Sequence, residues 1–257
     1  MRETWVLMMD MDLSGTIVID ILRAFMTSLM LAYAAYQDVR LRRVSNKVWA
    51  VFAPIALVLL ILEILFFRRD HYMVMLMTIN VIMSFAIAFL AFYLGIIGGA
   101  DAKAIMVLAV MIPRWPEYTL NPLEVVPPIL DALITSAILA LIYFPAIFIY
   151  NIIRGNLEIP WSFFGIKMYK DQAIEKKDYY IPLYKIEKRN STECIEMKIR
   201  IILPSEEELD NIWSALEKSE MDKIWVSPGI PFMVYLFIGV IITLVYGDLL
   251  LGLILRV

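Results

Sequence analysis

Long apolar runs separated by short polar segments dominate the chain. Five are long enough to cross a bilayer: Ile17 to Tyr36, Val48 to Phe67, Met73 to Ile97, Val126 to Ile153, and Ile230 to Leu255. A spanning helix needs roughly 20 mostly apolar residues because the hydrocarbon core is ~30 Å thick. A sixth run, Ala102 to Ile112, is short, and Pro113 and Pro116 discourage its extension. The pattern predicts an all-α polytopic membrane protein with six transmembrane helices. Residues 1–153 would hold helices 1–5, residues 154–228 a polar insert, and residues 229–257 helix 6.

The insert reads as a small α+β unit between helices 5 and 6. Asp178 to Lys188 and Cys194 to Leu203 predict a hairpin around Arg189-Asn190-Ser191-Thr192. In the second strand Ile195, Met197, Ile199 and Ile201 alternate with Glu196, Lys198 and Arg200, the period of a half-buried strand. Ser205 followed by Glu208 forms a capping box that opens a helix with an apolar stripe of Leu209, Ile212, Trp213 and Leu216. Upstream, Ile159 to Phe164 is aromatic and is expected along the membrane interface.

Composition strengthens the membrane reading: 61% of residues are hydrophobic, and the mean hydropathy is +0.74. Soluble domains run at about 45–50% apolar. Cys194 is the single cysteine, which excludes an internal disulfide framework and a cysteine-based metal cluster. His71 reads as a surface loop residue. The net charge of −3 matters less than its distribution. Arg40, Arg42, Arg43 and Lys47 follow the first run, and Lys103 and the lysine-rich insert fall on the same side. By the positive-inside rule that side is cytoplasmic, and both termini lie outside. The stretch Met1 to Gly15 is mixed in character and shows no secretory signal pattern.

Two acids then stand out. Asp38 follows the first apolar run, and Asp101 follows Gly98-Gly99-Ala100 and opens the short one. An ionised carboxylate beside a spanning helix is costly and marks function by default. Both fall at the cytoplasmic surface. The short fourth helix covers roughly 18 Å at ~1.5 Å per residue, so a water-filled cavity reaching Asp101 is expected, with position 102 accessible to water. Plainer roles exist for each: Asp101 as a helix cap, Asp38 as a boundary charge beside Arg40 and Arg42. Gly98 and Gly99 would allow close backbone approach and unusual φ, and Asn46 would cap or orient its loop. Elsewhere, Asp20 and Arg23 are spaced for a local ion pair. Glu63, Asp131 and Asp248 lie near span ends, where they are expected to reach water.

The segment Asp38-Val-Arg-Leu-Arg-Arg-Val44-Ser45-Asn46 resembles the first aspartate motif of the type IV prepilin peptidases, and Gly98-Gly99-Ala100-Asp101 resembles the second, written Gly-x-Gly-Asp or Gly-x-hydrophobic-Asp. With six spans and an insert before the last, the layout looks most like the archaeal preflagellin peptidase branch of these membrane aspartic proteases. Two positions depart from the pattern: Ala100 stands where the stricter motif has Gly, and Ser45 where the bacterial motif has Pro.

The resemblance implies an aspartic endopeptidase with Asp38 and Asp101 as catalytic pair, supported by Gly98, Gly99, Asn46 and Lys103, with no metal and no cofactor. Its substrate would be an archaellin or pilin precursor, cut at the cytoplasmic face behind a short basic leader. Its partners are that leader peptide and the lipid bilayer, with no nucleic acid. Two carboxylates held together share a proton, so one can activate water while the other donates to the scissile carbonyl. The alternative is a proton-coupled transporter that uses the intramembrane acids as a relay; a membrane anchor for the insert is a third reading. Transporters usually carry internal repeats, and none is visible here.

Overall fold

In the computed structural model the described residues are 2–67, 70–122, 126–189, 192–199 and 204–248, with side chains over 15–66, 70–122, 126–186, 195–199 and 204–248. In chain order the helices are α1 (Arg2–Leu41), α2 (Asn46–Leu62), α3 (His71–Tyr93), α4 (Gly99–Met111), α5 (Pro128–Leu141), α6 (Tyr143–Ile153), α7 (Trp161–Phe164), α8 (Lys170–Glu175), α9 (Glu206–Lys218) and α10 (Phe232–Tyr246). The strands are β1 (Ile166–Tyr169), β2 (Tyr180–Pro182), β3 (Tyr184–Arg189), β4 (Thr192–Met197) and β5 (Lys223–Pro228). The chain divides into two compact units, residues 1–139 with 231–257, and residues 140–230.

Four stretches of described helix are long and apolar enough to cross a membrane: Gly15–Leu41, Asn46–Phe66, His71–Tyr93 and Pro128–Ile153. The protein is a mostly helical, multi-pass membrane protein with a small sheet region. The fourth stretch breaks at Ile142, where α5 gives way to α6. Pro145 lies in the next turn and has no N–H to offer the carbonyl four residues back, so a break there is expected. The predicted runs 1 to 3 match α1 to α3 within a few residues at most ends. His71 is the first residue of α3 rather than a loop residue, and Asp70 caps that helix by accepting the Tyr72 N–H at 2.9 Å.

In the first unit α4 is the element most enclosed by protein. Ala102, Ala104, Ile105, Val107, Leu108, Ala109 and Met111 are all buried, against α1, α2 and α3. A helix that is apolar all round belongs in the middle of a bundle. Its 13 residues end at Ile112 and Pro113, whose carbonyl accepts the Asn80 amide at 3.1 Å. Met30, Leu31 and Ala34 of α1, Ala56 of α2, and Met233, Leu236 and Val240 of α10 complete the same core.

The buried acids depart from the sequence expectation. Asp20 and Arg23 do not pair with each other. Asp20 accepts from Arg114 at 2.9 Å, while Arg23 and Arg114 both bond Glu63, the latter at 2.6 Å. Glu63 is fully buried at the start of a π-helical turn (Glu63–Phe67) that follows α2. Asp131 and Asp248 are buried as well, and Asp131 accepts the Thr243 hydroxyl at 2.8 Å. None of the three reaches water. Spacing of i,i+3 permits the local pair, but Arg114 uses separate N–H groups to bond Asp20 and Glu63 at once, which links three segments. At ~1.5 Å per residue Asp20 stands roughly 27 Å from Asp38 along α1, so this network marks the far end of the bundle.

The second unit contains a three-stranded antiparallel sheet, ordered β1-β5-β2, with Ile166 opposite Val226 and Ile181 opposite Ser227. Its centre is β5, whose Ile224, Trp225 and Val226 are buried. The predicted hairpin exists as β3 and β4, with Tyr184 opposite Met197. It is shorter than expected: Tyr180–Pro182 belongs to the other sheet as β2, and the predicted continuation over 200–203 lies outside the described residues. Ser205 caps α9 through the Glu208 N–H at 3.2 Å, and Ile212, Trp213 and Leu216 are buried against the sheet core. Glu158 receives Lys167 and the Trp225 indole, and these donors hold its carboxyl below the usual range.

The seat of α10 is tight. A Cβ on Gly239 would lie 2.1 Å from Ser136 Oγ and 2.9 Å from the Ala132 carbonyl. Ser136 cannot easily swing away, because its hydroxyl bonds that same carbonyl. Gly239→Ala is therefore expected to destabilise the bundle by about 1–3 kcal/mol through overpacking. A lowered melting temperature of the detergent-solubilised protein, relative to Ala137→Gly on the exposed face of α5, would register it.

Candidate active site

Four helix ends meet around the two aspartates. Asp38 sits in the last turn of α1, where the Asp38 carbonyl accepts the Arg42 N–H at 3.1 Å as the helix stops. Arg42 adopts φ 52, a left-handed conformation that reverses the chain toward α2. The Asp38 carboxylate reaches across to α10 and accepts the N–H of Met233 at 3.1 Å. Met233 is the second residue of that helix, behind Pro231 and Phe232, so its N–H has no partner within the helix. Asp38 supplies one.

Asp101 stands in the first turn of α4. Its Oδ2 accepts the N–H of Gly98, the residue that caps the helix, at 3.3 Å. This is the carboxylate half of a capping box. Asp101 lies near enough to Asp38 for the two charges to interact. Arg42 is an opposing charge acting on Asp38. Both aspartates are half-buried.

The supporting residues fall into place around them. Lys103, two residues past Asp101, donates to Asn46 Oδ1 at 2.8 Å and so ties α4 to the start of α2. Asn46 does not cap α2. That role belongs to Ser45, whose hydroxyl accepts the Lys47 N–H at 3.3 Å. Gly98 provides close approach as expected, since a Cβ there would lie 3.3 Å from Asp101 Oδ2. It does not provide unusual φ: its φ of −72 is open to any residue, and the left-handed turn falls at Gly95, φ 69. Gly99 faces the Phe92 ring at ordinary contact distance. Ala102 is buried among core residues, so the expected water-accessible position is not at 102; Lys103 is the exposed neighbour.

Gln37 was missed by motif reading. It is 8% exposed, and its side-chain oxygen accepts the Ser45 N–H at 2.8 Å. A polar residue beside Asp38 at the end of an apolar run was the available signal, and it was passed over in favour of the acid. Met233 carried no signal, because its contribution is a backbone group.

A multi-pass helical protein that gathers two carboxylates beside helix N-termini at one end of its bundle has the equipment of a membrane-embedded hydrolase. Residues 25–153 match the family model of the type IV leader peptidase family, and residues 158–249 match that of the archaeal peptidase A24 C-terminus, type II. The chain belongs to the type IV leader peptidase family, and its activity is the proteolytic removal of leader peptides from precursors. Relatives named preflagellin peptidase include that of Methanocaldococcus jannaschii, 29% identical over 88% of this chain and 94% of its own. Those of Methanococcus voltae, 27% identical over 88% and 95%, and Methanococcus maripaludis, 26% identical over 86% and 93%, are similar at comparable coverage. This membership decides against the transporter reading.

Crowding at position 98 should be felt at Asp101 before it is felt by the fold. Gly98→Ala is expected to lower the cleavage rate of a precursor roughly tenfold, since sub-ångström misplacement of a reacting group is costly. Gly98→Val should lower it further. Circular-dichroism melting of both variants in detergent should stay close to that of the parent.

Proposed function

We propose that this chain is a membrane-embedded aspartic endopeptidase in which Asp38 and Asp101 are the catalytic pair, and that its substrates are archaellin or type IV pilin-like precursors bearing a short basic leader. The observation that carries the reading is the placement of the two carboxylates at one end of the bundle, each accepting a backbone N–H at a helix N-terminus. The names of the relatives support the substrate class.

The chemistry follows from two carboxyls sharing one proton. The ionised member takes a proton from water, and the hydroxide so formed attacks the scissile carbonyl carbon. The protonated member donates to the carbonyl oxygen as it becomes an oxyanion. Collapse of the tetrahedral intermediate breaks the C–N bond, and a proton from the pair goes to the leaving amine. Two peptides leave, and the pair again holds one proton. Gly98 keeps space clear for Asp101, while Asn46 and Lys103 hold α2 against α4.

We further infer six membrane crossings, with α4 and α10 as the two shorter ones, and three successive regions at 1–153, 154–228 and 229–257. The basic residues Arg40, Arg42, Arg43, Lys47 and Lys103 support placing the aspartates at the cytoplasmic face, with both termini outside.

Asp38→Asn and Asp101→Asn are each expected to reduce precursor cleavage by purified protein below detection, with both variants eluting as the parent does on size exclusion. Retained activity in either would remove the pair from the mechanism. The rate is expected to fall at both low and high pH, as a one-proton pair requires; a rate that rises monotonically with pH would contradict proton sharing.

A further inference from the structure

Within the first aspartate motif lies a turn with no proline to stiffen it, and one buried side chain fastens it. Ser45 adopts φ −64 and ψ 135. That φ is the value a proline ring would impose, about −65°. Here it is held instead by a hydrogen bond from the Ser45 N–H to the Gln37 carboxamide oxygen at 2.8 Å. Gln37 is 8% exposed, which shields that bond from competing water.

What the turn delivers is Asn46. It directly follows Ser45, and its Oδ1 receives Lys103 Nζ from α4, two residues beyond Asp101. Gln37 itself directly precedes Asp38. The path therefore runs from Asp38 through Gln37, Ser45 and Asn46 to Lys103 by covalent neighbours and two hydrogen bonds of 2.8 Å, and Lys103 lies in the same first turn of α4 as Asp101.

We propose that Gln37 is a positioning residue: by accepting the Ser45 N–H it fixes the α1–α2 turn, and through Asn46 and Lys103 it sets the spacing of the two aspartates. This rests on the reading of Asp38 and Asp101 as the catalytic pair. Gln37 touches neither substrate nor water in the reaction. Its contribution is to do with a hydrogen bond what a proline at position 45 would do covalently.

The test is a mutant cycle in the full chain, purified in detergent, with a precursor peptide as substrate. Gln37→Met keeps the side-chain volume and removes the acceptor. It is expected to lower kcat roughly ten- to hundredfold with KM little changed, the signature of misplaced groups rather than lost binding. Ser45→Pro locks φ and removes the N–H, so adding Gln37→Met to it should cost less than twofold. Ser45→Ala loses only the hydroxyl cap on Lys47, and in that background Gln37→Met should retain its full penalty. Hydrogen exchange of the 42–47 backbone, which does not depend on activity, should rise in Gln37→Met. An equal penalty from Gln37→Met with and without proline at 45, no penalty in the parent, or unchanged exchange would each overturn the proposal. Failure of the aspartate reading is distinct: Asp38→Asn would then cleave, while the cycle would still compare each variant with its own background.

Discussion

A helix that begins at the edge of an apolar phase leaves its first N–H groups without partners, and the arrangement of this bundle follows from how two such starts are satisfied. The N-terminus of α10 takes Asp38 from α1, and the N-terminus of α4 takes its own Asp101. An unsatisfied N–H in a low-dielectric setting costs several kcal/mol, by the ~2–7 kcal/mol range for burying an unpaired amide. Each aspartate therefore has a stabilising task before any catalytic one. The plain reading of Asp101 as a helix-capping residue and the functional reading are consequently the same geometry. A carboxylate fixed by a helix amide is already oriented, and orientation is what paired-acid catalysis needs.

The opposite end of the bundle is closed by charges of another kind. Glu63 takes two arginines, Arg23 from α1 and Arg114 from the segment after α4, while Asp20 takes the other face of Arg114. Acids and arginines here compensate one another, whereas Asp38 and Asp101 each accept a backbone N–H. Breaking a buried pair of this kind typically costs about 3–5 kcal/mol, so the network is a fastening between helices. It is a poor proton relay, since every acid in it is held by an arginine or, for Asp20, also by the Glu117 N–H. One end of the bundle thus locks α1, α2 and the α4–α5 connection. The other end carries two acids held by backbone amides rather than by arginine forks.

Sequence alone made the membrane class legible, because apolar run length is a direct consequence of bilayer thickness. It also made the shortness of α4 legible, through Pro113, and the start of α9, through Ser205 and Glu208. Partner choice was not legible. The i,i+3 spacing of Asp20 and Arg23 pointed to each other, yet each is claimed by a residue from another segment. The strand Lys223–Pro228 was hidden because Ile224, Trp225 and Val226 form a continuous apolar run, and a strand covered on both faces has no alternation to read. The contact of Asp38 with Met233 spans the whole chain and ends on a backbone amide, so no side-chain pattern could have announced it.

The glycine motif illustrates how a sequence signature resolves into separate physical demands. At position 98 the requirement is space, because a Cβ would stand 3.3 Å from the very carboxylate oxygen that takes the Gly98 N–H. At position 99 only the Phe92 ring is near, at an ordinary distance, so the demand is weaker. At position 100 the side chain packs partly buried against the bundle core, where a methyl adds apolar contact. Ala100 in place of glycine thus adds packing against the core. The departure from the stricter motif falls at the position where this bundle has room for a methyl, and the first glycine stays where it has none.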